Sequence, residues 1–213
     1  MTDLKMKSPR LLVIGDLIVD HYLWGSCERI SPEAPVQVIN IDNESILLGG
    51  AGNVINNLKA LGSKVDVISV IGECDASLTL IELLKNIDVD TKNIFLQSGR
   101  ISSKKSRVIS SQQQVIRFDK EITEEISIKS QKKVLNTFTR IINNYDVILL
   151  SDYGKGLLTK ELTKSIISAA NKKNKKVLVD PKGSDYSKYK DAFLLTPNKK
   201  EAFEATKIAI KDN

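Results

Sequence analysis

The sequence has 213 residues, 41% of them hydrophobic and 27% charged, with a formal net charge of +6, an ordinary globular composition that can bury one core and makes one domain the default. No apolar run reaches the roughly 18 residues of a membrane span, and residues 1–10 carry Lys5, Lys7 and Arg10 without the apolar stretch of a signal peptide, so a cytoplasmic protein with no membrane contact is expected. Cys27 and Cys74 are too few and too far apart for a disulfide framework or a zinc site, and the densest basic run, residues 172–176, has no interleaved aromatics to stack on bases, which argues against a nucleic-acid partner.

Leu11-Leu12-Val13-Ile14 is the first of several short apolar runs of the kind that form buried parallel strands. Gly15-Asp16 and then Asp20 follow it, placing two carboxylates beyond the strand's carboxyl end. There they could accept hydrogen bonds from ligand hydroxyls or simply cap a turn. Residues 36–41 read as an extended ribbon. Gly49-Gly50-Ala51-Gly52-Asn53 then leads into a helical pattern with Val54, Ile55, Leu58 and Leu61 on one face, stopped by Gly62. Such a stretch either lets the backbone approach a ligand closely or is a plain glycine turn. It is not a dinucleotide fingerprint, because Ile55 stands where the third glycine belongs, and no Walker A sequence is present.

Residues 65–70 predict a second strand, and residues 77–84 and 126–142 predict helices. Between them, residues 107–119 read as a second ribbon outside the strand–helix rhythm. The two ribbons carry Val36, Val38, Val108, Val115 and Phe118, so they predict a small sheet whose apolar face packs against another chain. Residues 147–150 and 177–179 predict two further strands, each followed by a polar, glycine-bearing loop: Ser151-Asp152-Tyr153-Gly154-Lys155-Gly156 and Asp180-Pro181-Lys182-Gly183. Lys155 and Lys182 suit phosphate oxygens and Asp152 suits hydroxyls. The last strand, Phe193-Leu194-Leu195, runs into Thr196-Pro197-Asn198-Lys199-Lys200-Glu201, where Asn198 and Glu201 can form a reciprocal helix cap or face phosphate and magnesium. Strands alternating with helices predict a doubly wound α/β sheet.

Taken in order, Gly15-Asp16 with Asp20, the stretch Arg29-Ile30-Ser31-Pro32-Glu33-Ala34-Pro35-Val36, residues 49–53, Lys105-Ser106-Arg107 with residues 113–119, residues 151–156, residues 180–183, and Asn198 with Glu201 resemble the ribokinase-like (pfkB) carbohydrate kinases over essentially the whole chain. Within that family the stretch 29–36 is similar to the heptose 7-phosphate kinases joined to an adenylyltransferase. The resemblance implies a ribokinase-like, mostly parallel α/β sheet with a small β lid at about residues 20–48 and 100–119. It further implies ATP- and Mg2+-dependent phosphorylation of the anomeric hydroxyl of D-glycero-β-D-manno-heptose 7-phosphate, in ADP-heptose and lipopolysaccharide-core assembly, by a homodimer joined through the lid. In that reading Asp16, Asp20, Gly49, Gly50, Asn53 and Asp152 hold sugar hydroxyls. Arg107 and Lys155 meet the 7-phosphate. Asn198, Lys199, Lys200, Glu201 and Lys182 lie at the ATP phosphates, with Glu201 acting indirectly on the metal.

The family's catalytic Gly-Ala-Gly-Asp motif does not occur in this sequence; Gly50-Ala51-Gly52-Asn53 ends in an amide, which cannot take a proton. The expectation is therefore that residues 1–213 are the amino-terminal part of one kinase domain, without its carboxyl-terminal part and inactive alone. Two alternatives stand beside it: a kinase of another phosphosugar or a nucleoside, and a non-catalytic sugar-phosphate-binding or dimerisation module. His21, the only histidine, is expected to be structural, and too few histidines are present for an adenylyltransferase motif.

Overall fold

A strand buried on both faces has to lie inside a sheet rather than at its edge. Strand β1 (Arg10–Gly15) meets that condition, with Leu12, Val13 and Ile14 wholly buried. After it come β2 (Leu17–Ile30), β3 (Gln37–Gly50), α1 (Ala51–Ala60), β4 (Lys64–Ile71), α2 (Asp75–Asn86), β5 (Ile94–Leu96), β6 (Ser103–Ser110) and β7 (Gln113–Lys120). The second half contributes α3 (Ile128–Ile141), β8 (Val147–Ser151), α4 (Lys160–Asn171), β9 (Lys176–Asp180), β10 (Leu194–Leu195) and α5 (Lys199–Thr206). These elements belong to a computed structural model that describes residues 8–209; Lys5 and Lys7 lie outside the described residues. Among the described residues no helix is long and apolar enough to cross a membrane.

Six parallel strands form the main sheet in the order β10-β9-β8-β1-β4-β5. Alternate residues of one strand face opposite sides, so Val13 joins a core with Ile55 of α1 and Leu80 and Leu84 of α2. Leu12 and Ile14 join the other core, with Phe138 of α3 and Ile166 of α4. The sheet is thus doubly wound, as its alternating pattern predicts. Helix α4 has no counterpart in the sequence reading; it is fixed by a Thr159 side-chain cap and a stripe of Leu162, Ile166, Ile167 and Ala170. The chain leaves β1 towards β4 on one side and leaves β8 towards β9 on the other. The carboxyl ends of β1 and β8, paired through Gly15 and Ser151, therefore flank the point where strand order reverses. Open α/β sheets bind ligands at that crevice.

The two ribbons join a second, four-stranded sheet, β3-β2-β6-β7, in which β2, a strand that the sequence reading did not predict, lies between them. Both are longer than the apolar runs that announce them: β3 continues through polar Asp42-Asn43-Glu44 to Gly50, directly into α1. Residues 107–119 are two strands, not one, joined at Ser111 and Gln112, both with positive φ (50° and 65°). A two-residue turn of that kind matches strand twist but favours Asn-Gly, the absent signal that hides the hairpin. Replacing Ser111-Gln112 by Asn-Gly should relieve left-handed strain of about 1 kcal/mol and raise the urea midpoint without changing the slope.

Strand β7 is exposed along its whole length, and Trp24, Leu47, Val115, Ile116 and Phe118 are all exposed. Val36 is exposed as well, outside any strand. The expected single apolar face is not formed: register turns Val108 and Phe118 to the face opposite Asp20 and Arg107, where Phe118 is 52% exposed and Val108 is buried. Val108 is 8% exposed, because its parity in β6 turns it to the side that packs towards α2.

Candidate active site

Asp16 directly follows β1, and its carboxylate is 4% exposed. Its Oδ2 accepts the amides of Tyr153 (3.0 Å) and Lys155 (3.1 Å), and its Oδ1 accepts that of Leu157 (3.3 Å). Burial pushes the Asp16 carboxyl above its ordinary range, against the pull of these amides. Three of about four acceptor sites are thereby used on the loop after β8, so Asp16 ties that loop to β1 and keeps little capacity for a hydroxyl.

Asp152 is equally enclosed, at 3% exposure. Its Oδ1 accepts the Gly154 amide (2.8 Å), while Oδ2 accepts the Tyr189 hydroxyl (2.7 Å) and pairs with the Lys188 ammonium (2.5 Å). Burial, with the neighbouring Asp152 carboxylate, pushes the Tyr189 phenol well up and keeps it a donor. The same phenol oxygen accepts the Lys182 amide at 3.0 Å, so Tyr189 fastens the loop after β9 to the loop after β8. Asp152, Gly154, Lys182 and Lys188 line a cavity of ≈ 400 Å³. Asp16 does not line it.

Asp20 lies in β2, where its Oδ1 meets the Arg107 guanidinium at 2.6 Å. Any side chain at Gly49 would strike the same carboxylate, which explains glycine there by close approach. Gly50 adopts φ 57° as the residue before α1 and offers no side-chain cap, which leaves first-turn amides of α1 available to oxygen ligands. Asn53 is exposed on that first turn. Arg107 also lies over the Tyr22 ring, 5.0 Å from its centroid.

Lys155 is linked to the second sheet through Glu121, whose Oε1 lies 2.7 Å from the Lys155 ammonium and whose Oε2 lies 3.2 Å from that of Lys105. Lys105 also pairs with Asp119 at 3.0 Å, and Asp119 with Arg117 at 3.2 Å. Register puts Asp20, Lys105, Arg107, Arg117 and Asp119 on one face of the four-stranded sheet. Sequence reasoning singled out Arg107 and Lys155 there but assigned nothing to Glu121, which follows β7 and carries no motif. It likewise missed Lys188 and Tyr189, which sit in a short turn without periodicity.

At the far end, Asn198 and Glu201 make the reciprocal cap of α5: Asn198 Oδ1 accepts the Glu201 amide (2.9 Å) and Glu201 Oε2 accepts the Asn198 amide (3.0 Å). The free oxygen of Glu201 pairs with Lys182 at 3.0 Å. Lys200 belongs elsewhere, paired along the helix with Glu204 at 3.8 Å and 84% exposed. Lys199 is exposed at the helix start. Burial alone would raise the Glu201 carboxyl, but the Asn198 amide and Lys182 together carry it below its ordinary value. A depressed carboxyl stabilises the fold above the unfolded pKa of about 4.3, and that contribution is lost as pH falls through the lower folded value. Glu201→Gln should therefore cost about 1 kcal/mol at pH 7, the scale of a lost cap, and nothing once both states are protonated, as read by urea unfolding at the two pH values.

Among the described residues no cluster of three or more His, Cys, Asp or Glu could hold a metal by itself. One carboxylate beside a lysine fits a magnesium ion held chiefly by phosphate oxygens and water. His21 is buried, with Nδ1 3.1 Å from Ser106 Oγ and Nε2 2.5 Å from Glu44, a structural place in the sheet.

Residues 8–213 match the family described as pfkB family carbohydrate kinase. The chain belongs to that family. Its relatives include the bifunctional protein HldE of Sulfurimonas denitrificans, 60% identical over 212 residues, and that of Aliarcobacter butzleri, 60% identical over 206 residues. These matches cover 100% and 97% of the chain but only 44% and 43% of the relatives, so the chain spans less than half their length. The fold is ribokinase-like: an Arabidopsis thaliana ribokinase complexed with ribose and ATP superposes with TM-score 0.66 at 17% identity, over 95% of this chain and 64% of that one. The tetrameric inhibited form of Escherichia coli phosphofructokinase-2 gives TM-score 0.71 at 16% identity, over 96% and 66%.

Proposed function

We propose that this chain is the sugar-binding side of an ATP- and Mg2+-dependent kinase that phosphorylates the anomeric hydroxyl of D-glycero-β-D-manno-heptose 7-phosphate to the 1,7-bisphosphate, in ADP-heptose and lipopolysaccharide-core assembly in the cytoplasm. The observation that carries it is the cationic group Lys105, Arg107 and Lys155, each part-buried, with Arg107 held on Asp20 of β2, whose carboxylate abuts Gly49 of β3. A neutral sugar has no use for three cations there, whereas a phosphate dianion can exchange with the carboxylates of Asp20, Asp119 and Glu121. The 60% identity to HldE proteins directs the choice among phosphosugars to the heptose.

In this reading the amides before and within the first turn of α1, with Asn53 and Asp20, orient hydroxyls. Asp16 and Asp152 act mainly by holding the loop of Gly154 and Lys155 in place. Lys182 and Glu201 mark the edge where ATP phosphates and magnesium would lie, and ATP supplies the transferred phosphoryl group. The exposed Trp24 and Leu47 share the face of Asp20 and Arg107, and their exposure supports a lid-mediated homodimer in which a second copy covers them.

Titration calorimetry of the chain without ATP, using heptose 7-phosphate, the unphosphorylated heptose, fructose 6-phosphate and adenosine, tests the reading. Heptose 7-phosphate is expected to bind tightest, and Arg107→Ala with Lys155→Ala should cut its affinity at least about tenfold, the scale of one lost charge-assisted contact. Equal affinity for the unphosphorylated heptose would overturn the phosphate assignment, and tighter binding of adenosine would favour a nucleoside kinase.

A further inference from the structure

The sheet β3-β2-β6-β7 has a second face, opposite the one that carries Asp20 and Arg107. Register places Val19, His21, Ser106, Lys104, Phe118 and Lys120 on it. Between this face and the start of α2 lies a cavity of ≈ 380 Å³ lined by those six residues together with residues of α2 and of the segment before β6. Its volume falls within the range of about 300–1,000 Å³ usual for small-molecule sites. None of the residues assigned above to sugar or ATP lines it.

The walls are of two kinds. Val19 at the floor and Ile46, Ile101 and Phe118 at the sides are apolar, and Phe118 is 52% exposed. Lys104 and Lys120 are the cations of the lining, and they stand directly opposite one another across the β6–β7 ladder. Like charges in directly opposed positions destabilise a sheet. Among the described residues neither lysine has an ion-pair or hydrogen-bond partner, whereas Lys105, their neighbour on the other face, has two carboxylates. Asp75, on the α2 side, is the only acidic residue of the lining and pairs with neither lysine. The other polar groups of the floor have partners of their own, since His21 lies between Ser106 and Glu44 and Ser102 bonds the Gly72 amide and Ser77.

From this juxtaposition we propose that the cavity behind the lid sheet is a second ligand site, distinct from the active site, for a small phosphomonoester with an apolar or aromatic body. The dianion sits between Lys104 and Lys120, removing their repulsion, and the body packs against Phe118 and Ile101. Occupancy ties β6 and β7 to α2, so such a ligand stiffens the sheet that also carries Arg107.

Cys74 lies in the cavity lining and Cys27 does not, which gives a residue-specific readout with phenyl phosphate as the probe. Alkylation of the 213-residue chain by iodoacetamide, followed by mass spectrometry, should show Cys74 protected about tenfold when the probe is at ten times its dissociation constant, with Cys27 unchanged. Phenol at the same concentration should not protect, and inorganic phosphate should compete with the probe. Lys104→Ala with Lys120→Ala should abolish protection while leaving the urea midpoint equal or higher. If that variant fails to fold, Lys120→Glu alone should abolish protection, because it replaces the cation pair by an internal ion pair. No protection of Cys74 by millimolar phenyl phosphate, equal protection by phenol, or protection that survives either lysine variant would overturn the proposal.

Discussion

In an ADP-release assay with ATP, magnesium and heptose 7-phosphate, the 213-residue chain is expected to show no substrate-dependent turnover. Phosphoryl transfer depends on positioning and on charge stabilisation around the moving group. A general base contributes about 10²–10⁴ in rate, and each donor of an anion hole about 10²–10³. Gly-Ala-Gly-Asp, which supplies both in the family this chain resembles, is absent from the sequence. Three carboxylates near the sugar loops are already committed: Asp16 to three amides, Asp152 to Tyr189 and Lys188, and Asp20 to Arg107. Turnover near that of a full-length relative assayed in parallel would require a base among these groups and would sink the account of their roles.

The second large effect belongs to Asp152. Replacing it by alanine leaves the Lys188 ammonium, 19% exposed, and the Tyr189 hydroxyl without their shared partner. Removing one member of a buried pair costs about 3–5 kcal/mol, and the partial exposure of Lys188 argues for the lower end. For a chain of this size a loss of about 3 kcal/mol corresponds to a fall in melting temperature of roughly 6–12 °C. Tyr189→Phe, which keeps the packing and removes only the hydroxyl bridge, should cost about 1–2 kcal/mol. Urea unfolding of the three proteins checks the order, and an Asp152→Ala variant as stable as Tyr189→Phe would mean that the Lys188 pair contributes nothing.

The main sheet was legible because its strands are buried on both faces and so read as continuous apolar runs; Leu11 to Ile14 could hardly be anything else. The second sheet was harder. Strand β7 has no buried residue, so packing leaves no imprint on its sequence, and its turn uses Ser111-Gln112 where Asn-Gly would have marked it. Site positions were legible as loops after strands, but what each side chain does depends on partners far along the chain. Asp16 bonds residues 137 to 141 positions away, and no local pattern announces that it serves the loop of Lys155. Asn198 and Glu201 are the converse case, since a cap is a local device and its spacing alone predicted it.

The most direct test of the sugar-side assignment is a crystal structure of the chain grown with heptose 7-phosphate and no nucleotide. The account predicts the 7-phosphate among Lys105, Arg107 and Lys155, with Glu121 or Asp20 released from its cation, and sugar hydroxyls at Asp20, the Gly49–Gly50 backbone and Asn53. A phosphate found instead at Lys182 and Glu201, with Arg107 still on Asp20, would contradict it.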